Sequence, residues 1–393
     1  MLLKKKVILI ATIGCAASRF SSKASTVHNT FHIQCKGYVR PLQELNVEFQ
    51  ILKEADIIII DEMSMMTSTL LQSVETRLRQ IENDTNEPYH SKLVILVGDH
   101  AQLLAICHYR LSDIENYCQK HYVYNAIHWN FATYHTLKTS IRHAKDPEYC
   151  SFFNIIHCRA PTKEEISSIL NNCYIDEDLV EQYIDDKTRI LCTHRKDVDY
   201  YNNLILHKKF PADQIYAIQL ETNARNVEHI QSWVNNKRFN HMQHVALGAL
   251  VMLTENIDLK VGAANGTTGI VTKLEFDLED NVCSISVALN PSGYVQIVRK
   301  KSIQNKYDSQ GHFYKTSFPL MLGYAITWHK SQGATISSKV MIHIRESFAR
   351  GLVYVMLSRV TSRKNLKIVN NLQPSDIQPM LPWFLENVNV VVN

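Results

Sequence analysis

Two uninterrupted apolar runs, Ile57-Ile58-Ile59-Ile60 and Leu93-Val94-Ile95-Leu96-Val97, restrict the fold of this chain more than any other feature. Each has strand length and lacks polar alternation, so each is expected to be a strand buried on both faces. Between them Leu70, Val74, Leu78 and Ile81 recur at three- and four-residue spacing behind Thr67 and Ser68, which predicts a capped amphipathic helix. Strand, helix, strand in that order points to a parallel sheet of the α/β class.

A second such unit begins near Arg189. Ile190-Leu191-Cys192 reads as a strand, 195–208 as a helix and Tyr216 to Leu220 as another strand. From about 248 to 318 the texture changes to short alternating runs punctuated by Gly262, Asn265-Gly266, Gly269 and Pro291-Ser292-Gly293. That is the pattern of a small antiparallel barrel. Parallel-sheet character resumes at Val340-Met341-Ile342-His343-Ile344, followed by a helix through Val353, Met356 and Leu357. The reading is two α/β domains, the second interrupted by a β insertion.

Bulk properties narrow the classes. With 45% apolar and 20% charged residues the chain is globular, and a net charge of +4 excludes a histone-like blanket while permitting a local basic groove. No apolar run approaches the length of a membrane span. The nine cysteines include no C-x-x-C, which argues against a disulfide framework or a four-cysteine zinc site and for a reducing compartment. The opening MLLKKKVILIATIGCAASRF has the grammar of a signal peptide, but Val7-Ile8-Leu9-Ile10 can equally be a buried strand running into a binding loop.

Several segments carry chemistry. IIIIDEMSMM places Asp61 and Glu62 directly after a strand, where open α/β sheets bind ligands. Asp61 can hold a hydrated Mg²⁺ and Glu62 can polarise a water, or the two acids can simply cap the next helix. LVILVGDHAQLLAI repeats the geometry with Gly98-Asp99 and then Gln102, whose amide can both accept from a water and donate to a phosphate; the alternative is an ordinary strand-to-helix turn. In GYAITWHKSQGATI, His329, Lys330, Ser331, Gln332 and Thr335 crowd donors around Gly333, a set suited to phosphates of a nucleotide or a nucleic-acid backbone. Arg359, ending VYVMLSRV, and Arg142, in LKTSIRHAKDPEY, can each stabilise a transferring phosphoryl group, although a lone arginine is more often a surface ion pair.

Taken in order, these segments resemble a PIF-type DNA helicase, a member of helicase superfamily 1B as found in chromosome maintenance and in Helitron transposons. TIGCAASRFSSKASTVHNTF resembles the first DNA-contacting motif, with Gly14, Ala16, Ala17, Thr26, His28 and Phe31 matching. DEMSM is similar to the Walker B motif, GDHAQLLAI to motif III, and AITWHKSQGATI and YVMLSRV to motifs V and VI. RHAKDPEYCSFFNIIHCRA resembles the segment after the first domain through Arg142, Asp146, Phe152 and Arg159, with Ala160 where glycine is usual. LGALVMLTENIDLKVGAANGTTGIV is similar to the entry into an inserted subdomain.

The resemblance implies two RecA-like P-loop-NTPase-type domains with parallel sheets, the second carrying a small SH3-like β-barrel insertion. The boundaries expected are 1–165, then 166–260 and 319–393 flanking an insertion at 261–318. It implies ATP as substrate with Mg²⁺, and 5′→3′ translocation on single-stranded DNA with unwinding at single-strand/duplex junctions, in repair, recombination, telomere maintenance or transposition. By the same resemblance Asp61 and Glu62 serve Mg²⁺ and the attacking water, and Gln102 senses the terminal phosphate. Arg142 and Arg359 act as arginine fingers, and Asp99, Lys330, Gln332 and Gly333 contribute to the nucleotide site. Thr12, His28, Phe31, Thr193, His329 and Ser331 line the DNA path, with Phe31 a base-stacking surface. Nucleus is the expected location, with mitochondrion the alternative, and no membrane partner is implied.

One motif of that family is not in these 393 residues: no G-x-x-x-x-G-K-[ST] string occurs. The resemblance places it just before the strand at Val7, so domain one is expected to lack the P-loop strand and helix and to leave an apolar face uncovered. Three readings follow: a helicase completed by upstream sequence or by a separate segment supplying the P-loop, a remnant that binds single-stranded nucleic acid without turnover, or a secreted protein. The free cysteines and the match through residues 7–31 weigh against the last. Residues 1–393 alone are expected to hydrolyse ATP poorly. DNA-stimulated turnover of the purified chain at ordinary helicase rates, about 1–1,000 per second as for typical enzymes, would sink that expectation.

Overall fold

Parallel pairing in register sets the first unit. The early elements are β1 (Val7–Ala11), β2 (Ser25–Thr26), α1 (Val27–Thr30), α2 (Val47–Glu54), β3 (Ile57–Asp61), α3 (Ser68–Glu82) and β4 (Leu93–Leu96). The strands form one sheet in the order β2-β1-β3-β4, all parallel, with Val7 level with Ile57 and Leu93. The computed structural model describes residues 5–14, 16, 17, 25–34, 39, 42–82, 89, 92–102, 105, 122, 123, 126, 129, 132, 133, 135–137, 139–185, 187–219, 221, 222, 242–258, 261–290, 293–298, 300–308 and 311–380. Residues 18–24 of the expected DNA-contacting segment, Leu103, Leu104 and Ile106 of motif III, Leu220, and Pro291-Ser292 lie outside them.

Helix α3 forms where its spacing predicts. The Thr67 hydroxyl accepts from the Leu70 amide at 3.0 Å, and Leu70, Val74, Leu78 and Ile81 are its buried face. That face packs with α2, through Phe49 and Leu52, against Ile10, Ile58 and Ile60. The opposite face of the sheet is different. Val7, Leu9, Leu93, Ile95 and Val97 are exposed, and Ile57 and Ile59 only partly buried. The expectation of strands buried on both faces is therefore corrected: successive side chains point to opposite faces, and α2 and α3 cover one of them.

Phe31 also departs from expectation. It is 0% exposed inside this core, and its carbonyl accepts from the equally buried Arg77 Nε at 2.9 Å. A ring without surface is no stacking platform, so its expected role on the DNA path is corrected to a core residue.

Further along come α4 (Pro147–Cys158), α5 (Lys163–Leu170) and β5 (Tyr174–Ile175). Asp146 caps α4 by accepting from the Tyr149 amide at 3.2 Å, with Pro147 at the first helical position. A capping box between Thr162 and Glu165 starts α5, and Glu165 also pairs with Arg159 at 2.6 Å.

The second unit begins with α6 (Val180–Tyr183), β6 (Arg189–Cys192) and α7 (Arg195–Lys209). It continues through β7 (Tyr216–Gln219), β8 (Glu221–Thr222), β9 (Met242–Val245), β10 (Leu250–Leu253), β11 (Thr268–Phe276), β12 (Val282–Leu289), β13 (Tyr294–Val298), β14 (Lys300–Asp308), β15 (Gly311–Ser317), β16 (Leu320–Leu322), β17 (Ala325–Thr327) and β18 (Val340–His343). β17 and β18 flank β6 in parallel, and here burial on both faces is nearly complete. Asn202 on α7 pins β17: its amide donates to the Ala325 carbonyl at 3.0 Å and accepts from the Ala325 amide at 2.8 Å.

The 216–220 run is not a further parallel strand. β7 pairs antiparallel with β9, with Tyr216 level with Val245. The expected insertion at 261–318 is also too narrow. β10 sits between β11 and β16, in a five-stranded antiparallel sheet ordered β13-β12-β11-β10-β16, so the β region starts before 261 and passes 318. β14, β15 and β8 form a separate antiparallel sheet. The five strands hydrogen-bond in an open order, and the SH3-like closure expected from the resemblance is not part of that pairing.

The chain then returns to the first unit with α8 (Leu352–Ser358) and β19 (Leu366–Val369), the latter parallel to β5. The two compact units are Met1–Ile175 with Ser331–Ser337 and Ile344–Asn393, and Asp176–Lys330 with Ser338–His343. These cut the chain differently from the expected boundaries. Side-chain bonds explain it: the Tyr149 hydroxyl donates to the Leu357 carbonyl at 2.9 Å, and Asp146 accepts from the Arg363 amide at 3.0 Å, so the C-terminal segment belongs with α4.

Phe31→Ala is expected to lower stability by about 3–5 kcal/mol, the cost of an emptied aromatic core site. Urea denaturation measures this. An unchanged midpoint together with lost DNA affinity would restore Phe31 to the DNA surface.

Candidate active site

The register of the first sheet delivers its chemistry to one edge. Ala11 is level with Asp61, and the Thr12 amide donates to the Asp61 carbonyl at 3.0 Å, with the Thr12 hydroxyl at 3.3 Å. Asp61 closes β3, and its Oδ1 accepts from the Glu62 amide at 2.8 Å. Glu62 has φ 56°, in the left-handed region, and is buried; its side chain does not cap the short turn that follows. The helix-cap alternative for this acidic pair is thereby set aside. The Met63 amide donates to the Val97 carbonyl at 3.0 Å, and a Cβ on Gly98 would lie 2.8 Å from Met63 Cγ, so only glycine lets the two strand ends approach this closely.

Asp99 is the hub of the next turn. It accepts from the Ala101 amide at 2.9 Å, the Gln102 side-chain amide at 3.2 Å and the Tyr354 hydroxyl at 2.8 Å, and its Oδ1 lies 3.4 Å from His157 Nε2. Burial alone would raise its pKa, but His157, the Ala101 amide and Tyr354 outweigh it and hold the carboxyl down at about 2. Gln102 Oε1 is buried without a partner among the described residues.

Helix α8 approaches the same turn. Gly351, at φ 71°, begins it, and a Cβ there would meet the Ala101 carbonyl at 2.7 Å. At its other end Arg359 is 1% exposed and, among the described residues, hydrogen-bonds only neutral oxygens: the Val355 carbonyl at 2.9 Å, the Ser358 hydroxyl at 2.7 Å and the Ala334 carbonyl at 3.5 Å. Burial and the Arg142 charge bring its pKa down to about 10, against the opposing pull of Glu62, Tyr354 and Asp99. Arg142 donates to the Thr335 hydroxyl and to the Ser358 carbonyl, each at 3.1 Å.

Gln332 is 0% exposed, with both side-chain polar atoms unpartnered among the described residues, and Gly333 turns the backbone at φ 68°. Ile336 ties that loop to α8 by donating to the Arg359 carbonyl at 2.8 Å. The first unit thus gathers Asp61, Glu62, Asp99, Gln102, Arg142, Gln332, Gly333 and Arg359. Lys330 belongs to the other unit, where its Nζ lies 3.3 Å from Met321 Sδ.

The residues fit a nucleotide with its metal. A buried guanidinium bonded to neutral oxygens, with the orphaned donor Gln332 Nε2, is a set that an anionic phosphate would satisfy, while the orphaned acceptor Gln102 Oε1 suits a water. The other oxygen of Asp61 has no hydrogen-bond partner among the described residues, which suits a Mg²⁺ held mainly by phosphates and water. No cluster of three metal-ligating side chains occurs among the described residues, and that mode of binding needs none.

The DNA-path residues divide between the units. Thr12 and His28 lie in the first, with burial lowering the His28 pKa. Thr193 and His329 lie in the second, just past the carboxyl ends of β6 and β17. The His329 ring lies tilted against Trp328, 3.8 Å between ring centroids, and burial with the Arg195 charge takes its pKa down to about 4, so it is neutral at ordinary pH. Thr193 and Ser331 are buried.

Sequence reasoning missed Tyr354, His157 and Tyr149. A tyrosine inside the apolar run VYVML was the available signal, since a buried hydroxyl needs a partner. Nothing in the sequence names Asp99 as that partner.

Residues 2–156 match the PIF1-like helicase family, and residues 232–274 match the 2B domain of DNA helicase Pif1. The ATP-dependent DNA helicase Pif1 of Campylobacter jejuni is 26% identical over 388 residues, covering 93% of this chain and 83% of that protein. The PIF1 helicase of Danio rerio is 26% identical over 317 residues, 80% of this chain but 46% of the relative, so the chain spans about half the length of that protein. A Bacteroides Pif1 helicase in complex with ADP-AlF3 and single-stranded DNA has a TM-score of 0.73 at 25% identity, over 97% of this chain and 87% of the other. Pif1 of Candida albicans shares the fold at TM-score 0.68 and 19% identity, over 97% and 88%. The fold, with its parallel sheets, is that of two RecA-like domains. This chain belongs to the PIF1-like helicase family.

Asp99 provides a pH test. Its folded pKa of about 2 lies below the ordinary 3.8, so the stability it contributes is complete above both values and vanishes as pH falls through about 2. That contribution is roughly 2 kcal/mol. Urea titrations should show Asp99→Asn less stable than the unsubstituted chain at neutral pH, with the gap closing toward pH 2. A gap independent of pH would remove the charge from the explanation.

Proposed function

We propose that this protein is an ATP-dependent DNA helicase that couples ATP hydrolysis to 5′→3′ movement on single-stranded DNA and to unwinding at single-strand/duplex junctions. The observation that carries the nucleotide half is Arg359, a buried cation bonded to neutral oxygens, together with Gln332, whose side-chain amide has no partner among the described residues, and the unpartnered Oε1 of Gln102. Such a charge is costly unless an anion completes it. The relatives support the reading: they are named ATP-dependent DNA helicases, and the Bacteroides helicase holds ADP-AlF3 together with single-stranded DNA.

In this reading Asp61 would hold Mg²⁺, which would supply charge neutralisation for the reaction. Glu62 orients and deprotonates the attacking water, and Gln102 contacts the terminal phosphate through its amide. Arg359 and Arg142 stabilise charge on the transferring group. Thr12, His28, Thr193 and His329 are the surviving candidates for DNA contact, with neutral His329 presented on Trp328 as a stacking and hydrogen-bonding group. No observation supports a separate P-loop-bearing segment, and the reading uses none.

With ATP and Mg²⁺, duplex carrying a 5′ single-stranded tail should be unwound, however slowly, and a 3′-tailed duplex should not. Glu62→Gln should lower the ATP-dependent rate by about a hundredfold, a typical general-base contribution. Unwinding from 3′ tails alone overturns the polarity. Salt-sensitive binding of single-stranded DNA without any ATP dependence would replace the motor by a binding module.

A further inference from the structure

The first unit contains a connection that the nucleotide-site residues do not require. Gln102 and Arg359 lie 257 positions apart in sequence by their numbers, on a turn and on the end of a helix. The turn is held to that helix at two places. Gly351 lies against the Ala101 carbonyl, where a Cβ would approach to 2.7 Å, and Tyr354 donates to Asp99 at 2.8 Å. Asp99 in turn accepts from the Gln102 amide at 3.2 Å, which leaves Gln102 Oε1 as the buried, unpartnered atom.

Tyr354 is itself fixed from a third element. Its ring meets Phe153 edge-on at 5.8 Å and His157 at 5.8 Å, both on α4, and His157 reaches the other oxygen of Asp99. A hydroxyl held this way has little freedom to seek another acceptor. Five residues along, the same helix ends in Arg359, whose Nε bonds the Val355 carbonyl inside the helix. Any shift of α8 therefore moves the guanidinium and, through Tyr354 and Asp99, the glutamine amide.

We propose that Tyr354 is a positioning residue for the nucleotide reaction: through Asp99 it sets the Gln102 amide in register with Arg359, so that the phosphate sensor and the arginine move as one. The assignment rests on the nucleotide reading above. Tyr354 itself touches no nucleotide in this scheme. Its effect falls on ligands that engage Gln102 and Arg359 together, which is the demand of a transferring phosphoryl group and not of ADP alone.

The test uses the full chain in two arms. Without nucleotide, hydrogen exchange at the Ala101 and Gln102 amides should quicken by about five- to tenfold in Tyr354→Phe, the equivalent of one lost hydrogen bond. His157→Ala, which leaves the tyrosine in place, should give a smaller change at the same amides. Unchanged exchange there overturns the proposal whatever nucleotide binding shows.

With nucleotide, Tyr354→Phe should weaken binding of ADP–aluminium fluoride by about five- to tenfold and leave ADP affinity within twofold. In a Gln102→Ala background the tyrosine substitution should have no further effect. Equal losses for both ligands, or a loss of the same size in the Gln102→Ala background, make Tyr354 merely structural and overturn the assignment. If the unsubstituted chain binds neither ligand, the nucleotide reading itself fails and the assignment falls with it. That failure is recognised by its presence before any substitution is made.

Discussion

The parallel register of β1, β3 and β4 is the constraint on which the site depends. Because Ala11 is level with Asp61 and Ile60 with Leu96, the three strands end together, and the residues that follow them leave the sheet at one edge. Thr12, the Asp61–Glu62 pair and the Gly98–Asp99 turn are side by side for that reason alone. A slip of one residue in β3 would exchange Ile58 and Ile60 with Ile57 and Ile59, lose the core contacts to α3 and withdraw the acidic pair from the edge. Hydrophobic burial on one face thus fixes the placement of charge at the strand ends.

Charge is then handled by two opposite devices within the same unit. Asp99 is surrounded by donors, so its carboxylate is comfortable and its pKa depressed. Arg359 is surrounded by neutral acceptors, so its guanidinium is buried with no counter-ion bonded to it among the described residues. The first arrangement holds elements together, and the second leaves electrostatic demand for something to satisfy. Glu62, strained at φ 56° and buried near that arginine, belongs to the same pattern of local cost concentrated at strand ends.

Much of this was legible from spacing and residue type. The helix over 68–82, the strands at 57–61, 189–192 and 340–343, and the acidic pair leaving a strand end follow from periodicity and turn chemistry that act within a few residues. Where reading failed, the deciding interaction was long-range. Phe31 looked like a surface aromatic beside a histidine, but Arg77, 46 residues away, takes its carbonyl inside the core. The strand at 216–219 looked like its predecessors, and only its partner β9 made it antiparallel. Strands β1 and β4 have the composition of fully buried strands, yet one face is left open, because composition does not count the helices available to cover it.

By itself the sequence determined which segments are strands and helices, that the first sheet is parallel, and which residue types stand at strand ends, because those properties depend on neighbours in the chain. Its motifs also placed the chain among the PIF-type helicases, since their order and identity can be read without coordinates. Tertiary structure alone decided which polar groups share an environment. That Tyr354 bonds Asp99 is a consequence of packing between segments 255 residues apart, and that Arg359 and Gln332 are buried is equally a result of packing that local sequence does not show. Burial sets the strength of a charge or an unpaired amide, and burial is a property of the fold.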